Sequence, residues 1–471
     1  MKHIYIAIIL LGVSIIAQAQ DNAFMLLKGV PQTTQINPAF RPVGGGYFSL
    51  PALGSVKING SNSGFSWSDI IRNGTGLQAD SLVIDLDNLS DKLQDNNLLA
   101  SEASVQIIGL GFRVKKAFIT FDINHRFKAN VKYPKSLLDL RYGNYNYDQD
   151  VPISHSLSDL FINTMDYHEI ALGVSHPITE KLTFGARIKY LIGVANAESE
   201  KFNVGIETLA DGTMIMNSDA AIRTSYPLVV ELDEEGYIDD VSTDDDADAA
   251  DILMGDNRGF GFDAGLTYQL NEKFTFGTAV NDIGFINWKS NTNRFYSNGT
   301  FEYNGIDISQ TITGDDDDVD YLEDLADDFE DSFKFSSDES SYKTNIMGSF
   351  NVTAQYQPKE WLDLGAIYKS YFVDGEMVPE TTFAVGLTPG SALSTVFTYS
   401  LMKNAPANFG TGIAVKLGAV QIYAATDNIN SLVSPDKARY VNARLGINFV
   451  FNGRKKKQVI EDIEVVEESI D

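Results

Sequence analysis

Four histidines beyond the N-terminal leader are the residues best suited to proton transfer or metal ligation: His125, His155, His168 and His176. Their spacing organises none of that chemistry. His125 and His168 sit on strand-like alternation and His176 at a strand end, and the chain has neither HExxH nor a His/Cys cluster. There is no G-x-S-x-G elbow to expose a nucleophilic serine. Gly259, Gly261 and Gly265 fall on one face of a strand. A phosphate-binding loop would need a helix next, and a strand follows, so these glycines predict close packing instead. The chain has no cysteine, which removes disulfides, thiolate metal sites, cysteine nucleophiles and a lipid-modified N-terminal cysteine. The runs Asp244-Asp245-Asp246 and Asp315-Asp316-Asp317-Asp318 are of a type that attracts hard cations, but their spacing matches no EF-hand loop. They read as solvated loops. The chain is expected to be no enzyme, with no metal and no cofactor.

Lys and Arg total 36 against 64 Asp and Glu, a formal charge of −28, so nucleic acid is excluded as a partner. With 44% hydrophobic and 11% aromatic residues, the chain is too apolar for disorder. Residues 1–19 read as a secretory signal. Lys2 and His3 precede an apolar run from Ile4 to Ile16, and Ala17-Gln18-Ala19 supplies small residues for cleavage. No later segment is long and apolar enough for a membrane helix.

The elements that position everything else are strands. Ile119, Phe121, Ile123 and Phe127 alternate with Thr120, Asp122, Asn124 and Arg126. Leu182, Phe184, Ala186, Ile188 and Tyr190 alternate with Thr183, Gly185, Arg187 and Lys189, and Phe260, Phe262, Ala264 and Leu266 with Gly261, Asp263 and Gly265. The strands run about ten residues or more, against about five to six in soluble sheets. That is the length a tilted membrane strand needs. Tight turns at Lys115-Lys116, Thr179-Glu180-Lys181, Asn271-Glu272-Lys273, Pro358-Lys359-Glu360 and Gly418-Ala419 alternate with much longer connections, which matches short periplasmic turns and long outer loops. The predicted strands lie near 46–59, 103–114, 117–128, 168–177, 182–195, 257–270, 274–286, 343–357, 361–373, 381–388, 393–401, 409–417, 420–426 and 438–451, with 200–226 either an extra outer hairpin or two further wall strands. The fold expected is all-β: a transmembrane antiparallel β-barrel of about 14 strands spanning 46–451. Asp122, Arg126, Arg187, Lys189 and Asp263 would face its lumen.

Three segments carry helical spacing on outer loops: Leu86, Leu89 and Leu93; Leu322, Leu325, Phe329 and Phe333; and Leu157, Leu160 and Met165. They would cap the barrel mouth or, at Leu322, Leu325 and Phe329, present a hydrophobic capture surface. Residues 20–45 are too polar and irregular to meet lipid and read as a plug inside the lumen, stiffened by Pro31, Pro38 and Pro42. Residues 452–471 read as a charged periplasmic tail, basic at Arg454-Lys455-Lys456-Lys457 and then acidic.

The stretch Pro31-Gln32-Thr33-Thr34-Gln35-Ile36-Asn37-Pro38-Ala39-Phe40 resembles the N-terminal segment of FadL-type barrels, whose plug carries Asn-Pro-Ala. Leu182 to Arg187, Asn281-Asp282-Ile283-Gly284-Phe285 with Trp288, and Arg444-Leu445-Gly446-Ile447-Asn448 resemble a Bacteroidota group of outer-membrane barrels of unknown function. The resemblance implies a cell outer membrane location and a plug or gate at Asn37, Pro38, Ala39 and Phe40. It also implies either a hydrophobic small molecule moved through the plugged lumen or, as in PorV-like barrels, an envelope protein partner in type IX-like secretion or surface assembly. Outer-membrane lipid would surround the wall in both cases.

Overall fold

The computed structural model describes residues 21–451, apart from 43, 74–80, 147–150, 245, 304–333 and 403–404. The chain is all-β, with a closed antiparallel barrel of 14 strands and a few short helices. The wall runs β1 (Gly46–Ser49, continued by Val56–Asn62), β2 (Asn96–Val114), β3 (Ala117–Pro134), β4 (Phe161–Pro177), β5 (Leu182–Thr208), β6 (Arg258–Gln269) and β7 (Phe274–Trp288). It continues through β8 (Tyr342–Asn345 and Ser349–Lys359), β9 (Leu362–Val373), β10 (Glu376–Leu387), β11 (Leu393–Met402), β12 (Ala405–Leu417), β13 (Val420–Thr426) and β14 (Tyr440–Phe451). Each strand pairs with the next, and β14 returns to β1 through Gly46↔Phe451 and Val56↔Leu445. Closure leaves no open edge in the wall, which hydrocarbon surroundings require because they offer no water to unpaired backbone groups.

The alternation in the sequence sets the two faces. Outward positions are apolar and exposed, with Ile188 at 65%, Ile58 at 62% and Phe260 at 61%. Their neighbours at Arg187, Lys189 and Asp263 are buried inside. Among the described residues no helix is long and apolar enough to cross a membrane. An apolar belt around a closed sheet is how a β-protein meets lipid instead.

Several strands are longer than their pattern predicts, because they continue past the apolar belt. β2 begins at Asn96 and β4 at Phe161. The upper part of β5 leaves the wall and pairs with Met214–Ser225, which pairs in turn with Thr292–Tyr303. This is the outer hairpin expected in 200–226. The tight turns are not confined to one end. Asp374-Gly375, both at positive φ, joins β9 to β10 at the loop end, so β10 starts at Glu376 rather than near 381. Pro358 and Lys359 belong to β8 rather than to a turn.

The helix expected at Leu86 and Leu89 forms over Leu86–Lys92, where the Asp85 carboxylate accepts the Asn88 N–H at 3.0 Å. The helix expected from Leu157 through Met165 does not form. Leu160 N–H closes a turn onto the Leu157 carbonyl, and Met165 is an inward residue of β4. There it packs with Tyr167, Leu191, Ile286, Trp288, Tyr342 and Ile346. Helical spacing in so short a stretch is overridden by a cross-strand core. Leu322, Leu325 and Phe329 lie outside the described residues, as does the basic run at 454–457.

Candidate functional site: the barrel interior

The interior is divided by chemistry. On the β2–β7 side the inward residues form one ion network. Arg187 Nη2 is 3.1 Å from Asp122 Oδ2 and its Nη1 is 3.2 Å from Asp263 Oδ2. Lys189 Nζ is 2.7 Å from Asp263 Oδ1 and also bonds Asp282. Arg126 bridges Glu169 at 3.2 Å and Asp282 at 3.4 Å, while Lys128 Nζ reaches Asp282 at 2.7 Å. The five residues expected in the lumen are therefore brought into a single cluster. Buried charges are tolerated only when paired in this way.

Glu169, Lys128 and Asp282 complete that cluster and were not singled out by sequence. Glu169 and Lys128 lie on predicted alternation and could have been added by parity. Asp282 could not. It sits at a bulge where Asp263 faces two residues, Asn281 and Asp282, and its φ of 58° turns it inward. The Asp263 carboxylate accepts the Asp282 N–H at 2.7 Å and holds the bulge.

On the β9–β13 side the inner face carries an apolar patch among buried polar residues such as Lys369, Glu380, Thr382, Ser400 and Gln421. Ala23, Phe24, Met25, Leu27, Val30 and Ile36 pack there against Ile367, Ala384, Val396, Ala414 and Tyr423. The polar lumen predicted by sequence is thus interrupted on this side by an apolar patch.

Residues 21–42 run between the two sides. Asp21 accepts from Lys57 Nζ at 2.9 Å and from Arg444 Nη1 at 3.2 Å, and Lys57 also reaches Glu102 at 2.8 Å. Burial pushes the Asp21 carboxyl up, but Lys57 and Arg444 more than offset this and hold it well below the usual carboxylate range. Asp427, in the loop after β13, accepts the Ala23 N–H at 2.7 Å. Burial raises the Asp427 carboxyl to about 6 against that hydrogen bond. Further along, Gln32 and Asn448 exchange amide hydrogen bonds at 2.7 and 3.0 Å.

The Asn37-Pro38-Ala39-Phe40 stretch crosses to the β4–β7 side. Asn37 Oδ1 accepts the Ala39 N–H at 2.9 Å, and Asn281 Nδ2 donates to the Ile36 carbonyl at 2.9 Å. Two wall positions must be glycine for this approach. A Cβ on Gly185 would stand 2.1 Å from the Pro38 carbonyl, and one on Gly265 would stand 2.1 Å from Asn37 Oδ1. The chain then leaves at the turn end, where Arg41 donates to the Lys116 carbonyl at 2.9 Å and Arg113 to the Pro42 carbonyl at 3.0 Å.

The wall has a discontinuity beside the ion network. β7 pairs with the second segment of β8 up to Asn281↔Ser349 and with the first segment from Phe285↔Asn345. Between these registers Ile346, Met347 and Gly348 leave the ladder, apart from the Ile346 N–H to the Gly284 carbonyl at 3.0 Å. An inner cavity of about 100 Å³ reaches this break, lined by Lys57, Arg126, Lys128, Lys369 and Arg444 together with Asp21, Glu102 and Asp282. An outer groove of about 620 Å³, lined by Phe260, Phe262, Ile283, Phe285 and Ile346, reaches it from outside. Asp282, Gly348 and Phe372 line both.

The solved structures that resemble this chain include the Pseudomonas putida toluene transporter TodX, at 9% identity and a TM-score of 0.40, covering 92% of this chain and 97% of that one. They also include the Ralstonia pickettii toluene transporter TbuX, at 10% and 0.42 over 90% and 95% of the two chains. A Pseudomonas aeruginosa FadL homologue matches at 11% and 0.40 over 93% and 100%. No curated protein matches the sequence. Residues 38–427 match the model described as a family of unknown function, DUF5723, and the chain belongs to that family.

Proposed function

We propose that the protein is an outer-membrane barrel that binds a hydrophobic small molecule and passes it between a plugged lumen and the surrounding lipid. The observation that carries this is the break between β7 and β8, where an inner cavity and an outer apolar groove share Asp282, Gly348 and Phe372. A wall built only to hold a scaffold has no need to interrupt its ladder at a point flanked by aromatic residues. In this reading residues 20–45 are the plug and Asn37, Pro38, Ala39 and Phe40 form its gate, because Asn37, Pro38 and the Ala39 backbone press on glycines of the wall. Leu322, Leu325 and Phe329 would supply the outer capture surface. The test is uptake of a panel of labelled long-chain lipids in cells with and without the gene. Loss of uptake restored by the intact chain supports the proposal, and unchanged uptake across the panel counts against it.

A second reading is favoured by the ion network. A charged, filled interior suits a non-transporting barrel that holds an envelope protein partner for type IX-like secretion or surface assembly. It predicts a stable complex in a detergent pull-down, and recovery of this chain alone would argue against it.

A further inference from the structure

The outward face of the wall is apolar through the middle of β3 and β4, and polar side chains gather at one place above it. The outward residues of β3 run Ile119, Phe121, Ile123, His125 and Phe127, and those of β4 run Val174, Leu172, Ile170, His168 and Asp166. His125 and His168 are direct cross-strand partners. Their rings lie 4.9 Å apart at 49°, with the two Nδ1 atoms 3.3 Å from each other. On the other side of the His125 ring, Nε2 is 3.2 Å from Asp166 Oδ1. The side chains of His125 and Asp166 are 35% and 27% exposed. At ~2.5 Å of height per residue of a tilted strand, the pair stands roughly 20 Å above the tight turn, close to the upper edge of an apolar belt about 25 Å tall. Water and headgroups reach that level.

Polar side chains on such a face are costly and call for a reason. The Asp166 carboxylate supplies one: its Oδ1 stands 3.2 Å from His125 Nε2, and its charge favours a proton on that nitrogen. With the proton on Nε2, the His125 Nδ1 lone pair lies on the side of His168 Nδ1, its hydrogen-bond partner at 3.3 Å. A carboxylate that orients an imidazole in this way is the usual outer partner of a metal-bound histidine. The distance agrees. Two nitrogens each ~2.05 Å from a tetrahedral ion stand ~3.3 Å apart. Each lone pair must then swing ~35° off the line between the nitrogens, within the broad terminal torsion of histidine.

We propose that His125 and His168 form a two-imidazole clip for a divalent cation of the Zn²⁺ class on the outside of the wall, with Asp166 positioning His125. Among the described residues no group of three or more His, Cys, Asp or Glu side chains is arranged to hold a metal. The remaining coordination positions therefore open outward and take water or oxygen ligands from the headgroup layer. Neutral imidazoles of this kind suit Zn²⁺ better than Ca²⁺ or Mg²⁺, which prefer oxygen.

The test is Zn²⁺ titration of the full chain in detergent, without an affinity tag, followed by calorimetry. One Zn²⁺ per chain is expected. His125→Ala and His168→Ala should each abolish it, and Asp166→Asn should weaken it by about 10–100-fold. His155→Ala and His176→Ala should leave it unchanged, and Mg²⁺ should not compete. Heat-modifiable gel migration checks folding. If an alanine variant does not fold, His125→Gln and His168→Gln replace it. Zn²⁺ binding that is equal in the wild-type chain and the folded His168 variant, or absent from both, would overturn the proposal.

Discussion

Gly265 of β6 and Asn37 are so close that a Cβ on the glycine would stand 2.1 Å from the Asn37 Oδ1. Neither side can yield cheaply, because Gly265 is held in register with Gly185 and Ala279 on the neighbouring strands. Gly265→Leu is therefore expected to dislodge the Asn37-Pro38 stretch rather than deform the wall. Overfilling of this kind costs about 1–3 kcal/mol. The expected result is faster proteolysis between Asp21 and Arg41 and a higher single-channel conductance in planar bilayers, with the barrel still folded. An unchanged conductance with intact proteolytic protection would show that the segment does not obstruct the lumen.

Lys57 holds Asp21 and Glu102 together within 3 Å of its ammonium group. Removing the cation leaves Glu102 buried beside Asp21 with little compensation. Lys57→Met should destabilise the folded chain by about 3–5 kcal/mol, as loss of one partner of a buried pair does. Adding Glu102→Gln should recover part of that loss, since the second charge is then gone. Thermal unfolding followed by heat-modifiable migration measures both. A double variant no more stable than Lys57→Met would show that the pairing is not the source of the effect.

The two acids that meet the start of the docked segment respond to pH in opposite senses. Asp427 is raised in the folded state, so its contribution is full below the unfolded carboxylate value and is lost as pH rises through about 6. Asp21 is lowered, so its contribution is full above the unfolded value and is lost only in strong acid. Between pH 4 and 7 only Asp427 changes. Amide protection of Ala23 and Phe24 is expected to fall as pH rises through about 6, by up to about tenfold per unit. Asp427→Asn should make that protection flat over the same range, while Asp21→Asn should lower it at every pH.

Most of the wall was legible from residue alternation. Arg187 and Lys189 against Ile188 and Tyr190 fix which face of β5 is inside, and that parity alone brings Asp122, Arg126 and Asp263 onto the same interior. Parity fails where the backbone breaks it. Asp282 is turned inward by a bulge that no alternation announces, and the Leu157–Met165 stretch shows helical spacing only because a turn meets a strand. The apolar patch on the β9–β13 side was missed for a different reason. Two of its wall residues, Ala384 and Ala414, are small, and their partners Phe24 and Leu27 come from a segment with no period of its own. A close match between small wall residues and large plug residues is visible only once the two are placed together.

The outer belt gives a direct test of the membrane reading. Ile188 is 65% exposed near the middle of the apolar face, next to the inward Arg187 and Lys189. Ile188→Arg should cost about 2–4 kcal/mol of folding free energy in lipid. The same change at Val229, exposed in the outer loop hairpin Leu228–Leu232 with Ile238–Thr243, should cost almost nothing. Equal effects at the two positions in a lipid-vesicle refolding titration would contradict the placement of the belt.

The break between β7 and β8 can be closed without replacing any residue of the ion network. A Cβ on Gly348 would meet the Asp282 and Asn281 carbonyls at 3.2 and 3.3 Å and Ile283 Cδ1 at 3.3 Å, contacts that are tight but can be relieved by small shifts. Gly348→Ala should therefore fold and leave the space between the cavity and the groove unfilled. Gly348→Trp puts an indole into the space that Asp282 and Phe372 share, and the two volumes are separated. Lipid uptake should then fall by about tenfold or more, equivalent to ~1.4 kcal/mol on the passage barrier, while the alanine variant stays close to wild type. Heat-modifiable migration of both variants separates this outcome from misfolding. Uptake that survives the indole would mean that the molecule leaves by another route, and the shared lining of Asp282, Gly348 and Phe372 would then be a packing defect rather than a path.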